Sequence, residues 1–192
     1  LIFTYAPSIR YTITYNLNGS DATNNPSNPT SYRNDTANIT LAPATRAGYT
    51  FGGWYGNENL SGTAVTTIPT GSTGIKTFWA KWTRLFKLSL TTVGLGAIEG
   101  AITGTDYDSG TVVSLTAVPN ASYRFKEWSG AITGTINPSS VNMNANKSVT
   151  ANFSRQCTLV VRSDYGATTP TPGSQTILDS GQVTSLLVNA TD

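Results

Sequence analysis

The sequence predicts a mainly β protein made of tandem small β-rich domains, and three observations point there. First, 32 threonines, 18 glycines and 9 prolines among 192 residues favour many short strands joined by tight turns. Second, YTITYNL (Tyr11–Leu17), FKLSLTTVG (Phe86–Gly94) and CTLVVRSDYG (Cys157–Gly166) alternate apolar with polar residues, the period of a strand that buries one face. Third, the aromatic ladder YTFGGW at Tyr49–Trp54 returns as YRFKEW at Tyr123–Trp128, with Gly56 and Gly130 two residues after each tryptophan. A spacing of about seventy residues reads as one small fold written more than once.

In chain order, Phe3–Ala6 resembles the strands at Phe78–Ala80 and Val149–Ala151, so residues 1–10 read as the last strand of a preceding unit. Residues 11–83 and 84–154 form two whole units, because FWAKWT (Phe78–Thr83) parallels VTANFS (Val149–Ser154) and each is followed by a basic residue and a new alternating segment. Residues 155–192 read as a partial third unit. A shift of 71 places Leu88 on Leu159, Leu90 on Val161, Asp108-Ser109-Gly110 on Asp179-Ser180-Gly181, and Leu115 on Leu186. Within a unit, SGTVVSLTAVP reads as a strand ending at Pro119, since proline cannot donate to a ladder. Asn18-Gly19, Asp108-Ser109-Gly110 and Ser129-Gly130 are turn signals. GAITGT at Gly100–Thr105 and Gly130–Thr135 marks two turn-bearing segments of one unit, not the period. No segment joins helical periodicity to adequate length, and Asn57–Thr67 holds a short helical turn at most. Short linkers are expected at Thr83–Leu85 and Ser154–Gln156, with consecutive units arranged end to end.

The ladder residues are read as core. Tyr49 and Phe51 share one strand face, and Trp54 joins them if Gly52-Gly53 forms a bulge that resets the register. Tyr123, Phe125 and Trp128 take the same places in the second unit, with Lys126-Glu127 at the bulge position, while Trp82 and Phe153 close the two units. Each large ring removes about 150–250 Å² from water, so three rings contribute on the order of 10 kcal/mol before chain entropy is subtracted. A unit of about 71 residues needs that much apolar area. Trp79 and Trp82, three apart on one strand, face opposite ways. Trp79 is therefore the candidate ligand-contact residue, although its counterpart is Thr150.

The remaining composition excludes whole classes of chemistry. Histidine is absent, which removes the usual neutral-pH general base and the commonest metal ligand. Neither a phosphate-cradling Gly-rich loop nor a serine nucleophile motif occurs, and no catalytic, cofactor or metal residue is assigned. The closest carboxylates, Asp106 and Asp108, read as turn residues, because Asp106 maps onto Ile177 whereas Asp108 maps onto Asp179. Cys157 is alone and reads as a small buried hydrophobe. With 12 basic and 10 acidic side chains spread singly, neither a nucleic-acid face nor a polybasic membrane anchor is indicated. No apolar run is long enough for a membrane span. The chain begins without Met in the middle of what reads as a strand, and is read as a piece of something longer. Eight N-x-[ST] matches, Asn38, Asn120 and Asn189 among them, are expected by composition in a chain so rich in Asn, Ser and Thr.

Several ordered blocks carry a resemblance. YTITYNLNG (Tyr11–Gly19), SNPTSY (Ser27–Tyr32), ITLAPATRAGYTFGGWYG (Ile39–Gly56) and IPTGSTGIKTFWAKWT (Ile68–Thr83) resemble the B repeat of bacterial internalins, also called the Listeria and Bacteroides repeat. Residues 84–154, with GAIEG, DSGTVVSLTAVPNASYRFKEWSG and SVTANFS, resemble its divergent form, and 157–192 the first half of another divergent copy. The resemblance implies a β-grasp-like first domain, no catalytic residues, and an extracellular, surface-attached or secreted bacterial protein in which repeats space out a recognition module. The expected function is a non-enzymatic stalk or spacer with adhesive contacts, its partners a surface protein or glycan of a host or neighbouring cell, or copies of itself. A carbohydrate-binding module using exposed aromatics is the rival, and a fibre subunit pairing through strand edges a third reading. Glycan binding lost in Trp79→Ala favours the first of these rivals, and reversible assembly into fibres favours the second.

Overall fold

The computed structural model describes residues 8–156 and the backbone of 157–160 and 175–179. Phe3–Ala6 and most of the partial third unit lie outside the described residues. Among those described there are strands and turns and no helix. The chain divides into two compact units between Leu85 and Phe86.

The first unit contains β1 (Arg10–Asn16), β2 (Ser31–Arg33), β3 (Ile39–Thr40), β4 (Tyr49–Tyr55), β5 (Thr67–Ile68) and the leading part of β6 (Lys76–Val93). Its sheet runs β2–β1–β6–β4. β1 is antiparallel to β2, parallel to β6 with Ile13 opposite Lys76 and Asn16 opposite Trp79, and β4 is antiparallel to β6. First and last strands lying side by side and parallel is the sheet order of a β-grasp. Where that fold carries a crossover helix, this chain has the short β3, which pairs with β5. Proline and glycine at Pro43 and Gly48 interrupt this stretch and leave no helical run.

The second unit repeats the plan. The trailing part of β6 is followed by β7 (Gly96–Glu99), β8 (Thr105–Asp108), β9 (Val112–Pro119), β10 (Tyr123–Gly130), β11 (Ser139–Asn142) and β12 (Lys147–Val160). β8 pairs with β6, β6 runs parallel to β12 from Leu88–Lys147 to Val93–Asn152, and β12 is antiparallel to β10. The order β8–β6–β12–β10 therefore matches β2–β1–β6–β4 strand for strand. The β3–β5 ladder is answered by a three-stranded sheet, β11–β9–β7. Beyond it, β13 (Gln175–Asp179) pairs antiparallel with the end of β12, Leu178 opposite Cys157.

The expected linkers are corrected by the structure: Thr83–Leu85 and Ser154–Gln156 are β-strand. Backbone partners hold them extended. Arg84 pairs with Tyr49 and Leu85 N–H donates to Gly48 C=O at 2.8 Å, while Arg155 pairs with Tyr123 and Gln156 N–H donates to Ser122 C=O at 2.7 Å.

Each unit has its own core. Ile13, Tyr32, Leu41, Trp54, Ile68 and Phe78 anchor the first; Leu88, Leu115, Trp128, Met143, Val149 and Phe153 anchor the second. The alternation read from sequence appears directly in burial. In β9, Val113, Leu115 and Ala117 are inside while Val112, Ser114 and Val118 are exposed.

Candidate functional site

The repeated aromatic ladder is the feature from which a site would be built, and its geometry begins with a bulge. In β4 the pairing register slips between Phe51 and Trp54, so Phe51 faces Trp82 and Trp54 faces Ala80 on one side of the sheet. Gly53 makes this possible with φ of 111°, and a Cβ there would stand 2.7 Å from Ala64 Cβ. In β10 the slip falls between Phe125 and Glu127, and the strand absorbs it without glycine.

The bulges deliver both indoles to the interior. Trp54 and Trp128 are each 1% exposed. Rings then touch in series around Trp54: Tyr15 to Trp54 at 5.0 Å, Trp54 to Phe51 at 5.3 Å, and Phe51 to Trp82 at 5.3 Å, all edge to face. The second unit has the matching series, Trp128 to Phe125 at 5.1 Å and Phe125 to Phe153 at 6.1 Å. Tyr123 is half-buried against that core. Tyr49 is half-buried with the Arg46 guanidinium 3.9 Å above its ring.

Every core indole N–H is committed to the backbone. Trp54 Nε1 donates to Ala42 C=O at 2.9 Å, Trp128 Nε1 to Ile136 C=O at 3.0 Å, and Trp82 Nε1 to Leu17 C=O at 2.6 Å. Two residues that the sequence reading did not single out complete this framework. Asn28, 6% exposed, accepts from Ala42 N–H at 2.7 Å and donates back to Ala42 C=O at 2.9 Å. Asn137 does the same to Ala117, both bonds at 2.8 Å. Each asparagine imitates one rung of a sheet ladder. They sit at different places in the two units, Asn28 between β1 and β2 and Asn137 between β10 and β11, and each directly precedes a proline, as Asn25 also does.

Trp79 lies on the opposite face of the sheet. It is half-buried, pairs across to Tyr55, and shares that face with Lys81, whose Nζ is 5.3 Å from the Tyr55 ring. Tyr55 itself is only 8% exposed, which leaves Trp79 as the more exposed ring of that rung. The corresponding rung of the second unit pairs Ser129 with Thr150, beside Asn152, and is polar throughout.

Among the described residues no three carboxylates converge. Asp106 and Asp108 are exposed on β8, and the Asp108 C=O accepts from Thr111 N–H at 3.0 Å, closing the D-S-G turn. Among the described residues no three His, Cys, Asp or Glu side chains gather as metal ligands. A surface groove of about 210 Å³ in the second unit is lined by Leu90, Thr91, Thr92, Ile98, Ala101 and Thr103, which offers hydroxyls and aliphatic surface but no ionisable group. Two of the described tyrosines are shifted upward. Burial pushes Tyr15 up to about 12, with its hydroxyl donating to Pro29 C=O at 3.1 Å. Burial, with Tyr11 adding to it, also raises Tyr32, whose hydroxyl donates to Gly74 C=O at 2.6 Å. Both serve as internal hydrogen-bond donors.

Comparison with known proteins agrees with this duplicated architecture. Residues 11–81 match the profile of the Listeria-Bacteroides repeat domain, and residues 87–157 that of the divergent InlB B-repeat domain. No curated protein and no solved structure matches the chain. Two successive segments with one strand order and one bulged aromatic ladder are thus related repeats, residues 11–81 of the Listeria-Bacteroides type and residues 87–157 of the divergent InlB B-repeat type.

Proposed function

We propose that this chain is a non-enzymatic spacer region of a bacterial cell-surface or secreted protein, holding a recognition module away from its anchor and contributing adhesive contacts. The observation that carries the reading is where the repeated residues are spent. What recurs between the units is scaffold: the strand order, the bulge, and a buried indole that gives its N–H to a backbone carbonyl. What differs is surface, as in Tyr55–Trp79 against Ser129–Thr150. A region selected for one ligand would repeat its contact residues, whereas a region selected for extent repeats its support.

Scattering and sedimentation on chains carrying one, two and four units test this. A concentration-independent monomer whose largest dimension grows by a constant increment per unit is expected, and concentration-dependent assembly or a dimension that saturates overturns it. A glycan-binding role would rest on Trp79, the half-buried ring of the Tyr55–Trp79 rung. Glycan-array binding abolished by Trp79→Ala, with unchanged unfolding, would establish that second reading.

A further inference from the structure

We infer that each unit is a shear clamp, a device for bearing tensile load along the chain. The inference goes beyond the spacer reading and holds or fails independently of it, since a spacer needs only length. The observation is the placement of entry and exit strands. In the first unit the chain enters on β1 and leaves on β6, and these are hydrogen-bonded neighbours running parallel over Ile13–Lys76 to Asn16–Trp79. In the second unit it enters on the trailing part of β6 and leaves on β12, again parallel neighbours, over Leu88–Lys147 to Val93–Asn152.

Tension applied through the polypeptide draws the entry strand back along its own axis and the exit strand forward along its own. Because the two strands are parallel, the pulls oppose each other along the seam and every bond of the ladder is loaded together. Parallel bonds are evenly spaced along the strands, so no single rung takes the load first. An antiparallel hairpin pulled at its open end, by contrast, yields one rung at a time. Forced unfolding is governed by the unfolding rate, so a seam that must break all at once resists load out of proportion to its equilibrium stability.

Side chains lengthen the shorter seam. β1 ends at Asn16, yet Leu17 C=O accepts from Trp82 Nε1 at 2.6 Å and Asn18 Nδ2 donates to Ala80 C=O at 2.9 Å. The first unit thereby joins the segment after β1 to β6 beyond the last backbone pair. Phenylalanine stands at the place of Trp82 in the second unit, and the Phe153 ring has no N–H to give, but there the ladder itself continues to Val93–Asn152. Each unit reaches a long seam by its own means.

The test is single-molecule stretching of the whole chain with Cys157→Ser. In one arrangement, end-to-end pulling, the handles are at the two chain ends. In the other, same-end pulling, they are attached through Ile9→Cys and Ile75→Cys, exposed positions just before β1 and β6, so that the same seam opens from one end. End-to-end pulling is expected to give steps of roughly 250 Å per unit, from about 70 residues at ~3.5 Å each, at a force several-fold above that of same-end pulling. Combining Trp82→Phe with Asn18→Gly is expected to lower one of the end-to-end steps and leave the same-end force unchanged, because those two bonds lie at the far end from that opening. Equal forces in the two arrangements overturn the clamp, and so does a double variant that weakens both arrangements alike.

Discussion

Trp54→Ala is the substitution that the first unit should tolerate least. The side chain is 1% exposed, meets Tyr15 at 5.0 Å and Phe51 at 5.3 Å, and gives its N–H to Ala42 C=O. Truncating a buried tryptophan costs about 3–5 kcal/mol through lost transfer energy and the cavity left behind. The Ala42 carbonyl is not orphaned, because it also accepts from Asn28 Nδ2, so no full desolvation penalty is added. A loss of about 4 kcal/mol is therefore expected. At about 0.05–0.15 kcal/mol per residue, a unit of some 75 residues holds only about 4–11 kcal/mol. The variant is expected to have a first unit at or near the point of unfolding in water, beside an intact second unit. The assay is urea titration followed by indole emission: Trp79 and Trp82 report the first unit, and Trp128 is the second unit's one indole. With m near 1–2 kcal/mol/M, the first transition moves down by about 2–4 M, and Trp128 is unmoved. A first transition displaced by less than about 0.5 kcal/mol, the range of ordinary surface substitutions, would refute the claim that the ladder is interior ballast.

Further outcomes follow from the same geometry. Asn137→Ala leaves the Ala117 N–H and C=O, on a residue 3% exposed, without their partner; a loss of about 1–3 kcal/mol is expected for the second unit, read from its urea midpoint. Gly130→Ala meets Ser148 C=O at 2.4 Å at φ of 96° and should destabilise severely, whereas Gly134→Ala, at the same φ with open space around it, should cost only about 1–2 kcal/mol; similar thermal midpoints for the two would contradict the close approach. The Tyr15 phenol keeps its proton to about pH 12 when folded and to about 10 when unfolded. Its contribution is present in full below pH 10 and is lost as pH rises from 10 through 12, because in that window the unfolded chain binds fewer protons. Tyr15→Phe should flatten the first unit's stability over that window, and an unchanged alkaline slope would count against the burial argument.

Much of the architecture was legible because it is local. Alternation in Tyr11–Leu17 and Val112–Pro119 reports which face of a strand is buried, since side chains change sides at every residue. The spacing of Tyr49, Phe51 and Trp54 required a reset of register for all three to share a face, and Gly52-Gly53 marked where it would fall. Repetition then carried the same reading to Tyr123, Phe125 and Trp128 even though Lys126-Glu127 hid the bulge.

The sequence by itself determined that this is a β-rich chain without histidine and that one unit is written again with a shared aromatic ladder. Only the tertiary structure decided which strands become neighbours. The parallel pairing of β1 with β6 joins residues some sixty apart, and strand period says nothing about which partner fills an edge or in what register. For the same reason nothing in the sequence singled out Asn28 and Asn137, whose role appears only when the chain brings Ala42 and Ala117 to them. Thr83–Leu85 read as a linker until β4 supplied the partners that keep it extended. Local chemistry sets what each segment is able to bury, and long-range hydrogen bonding sets what it is tied to.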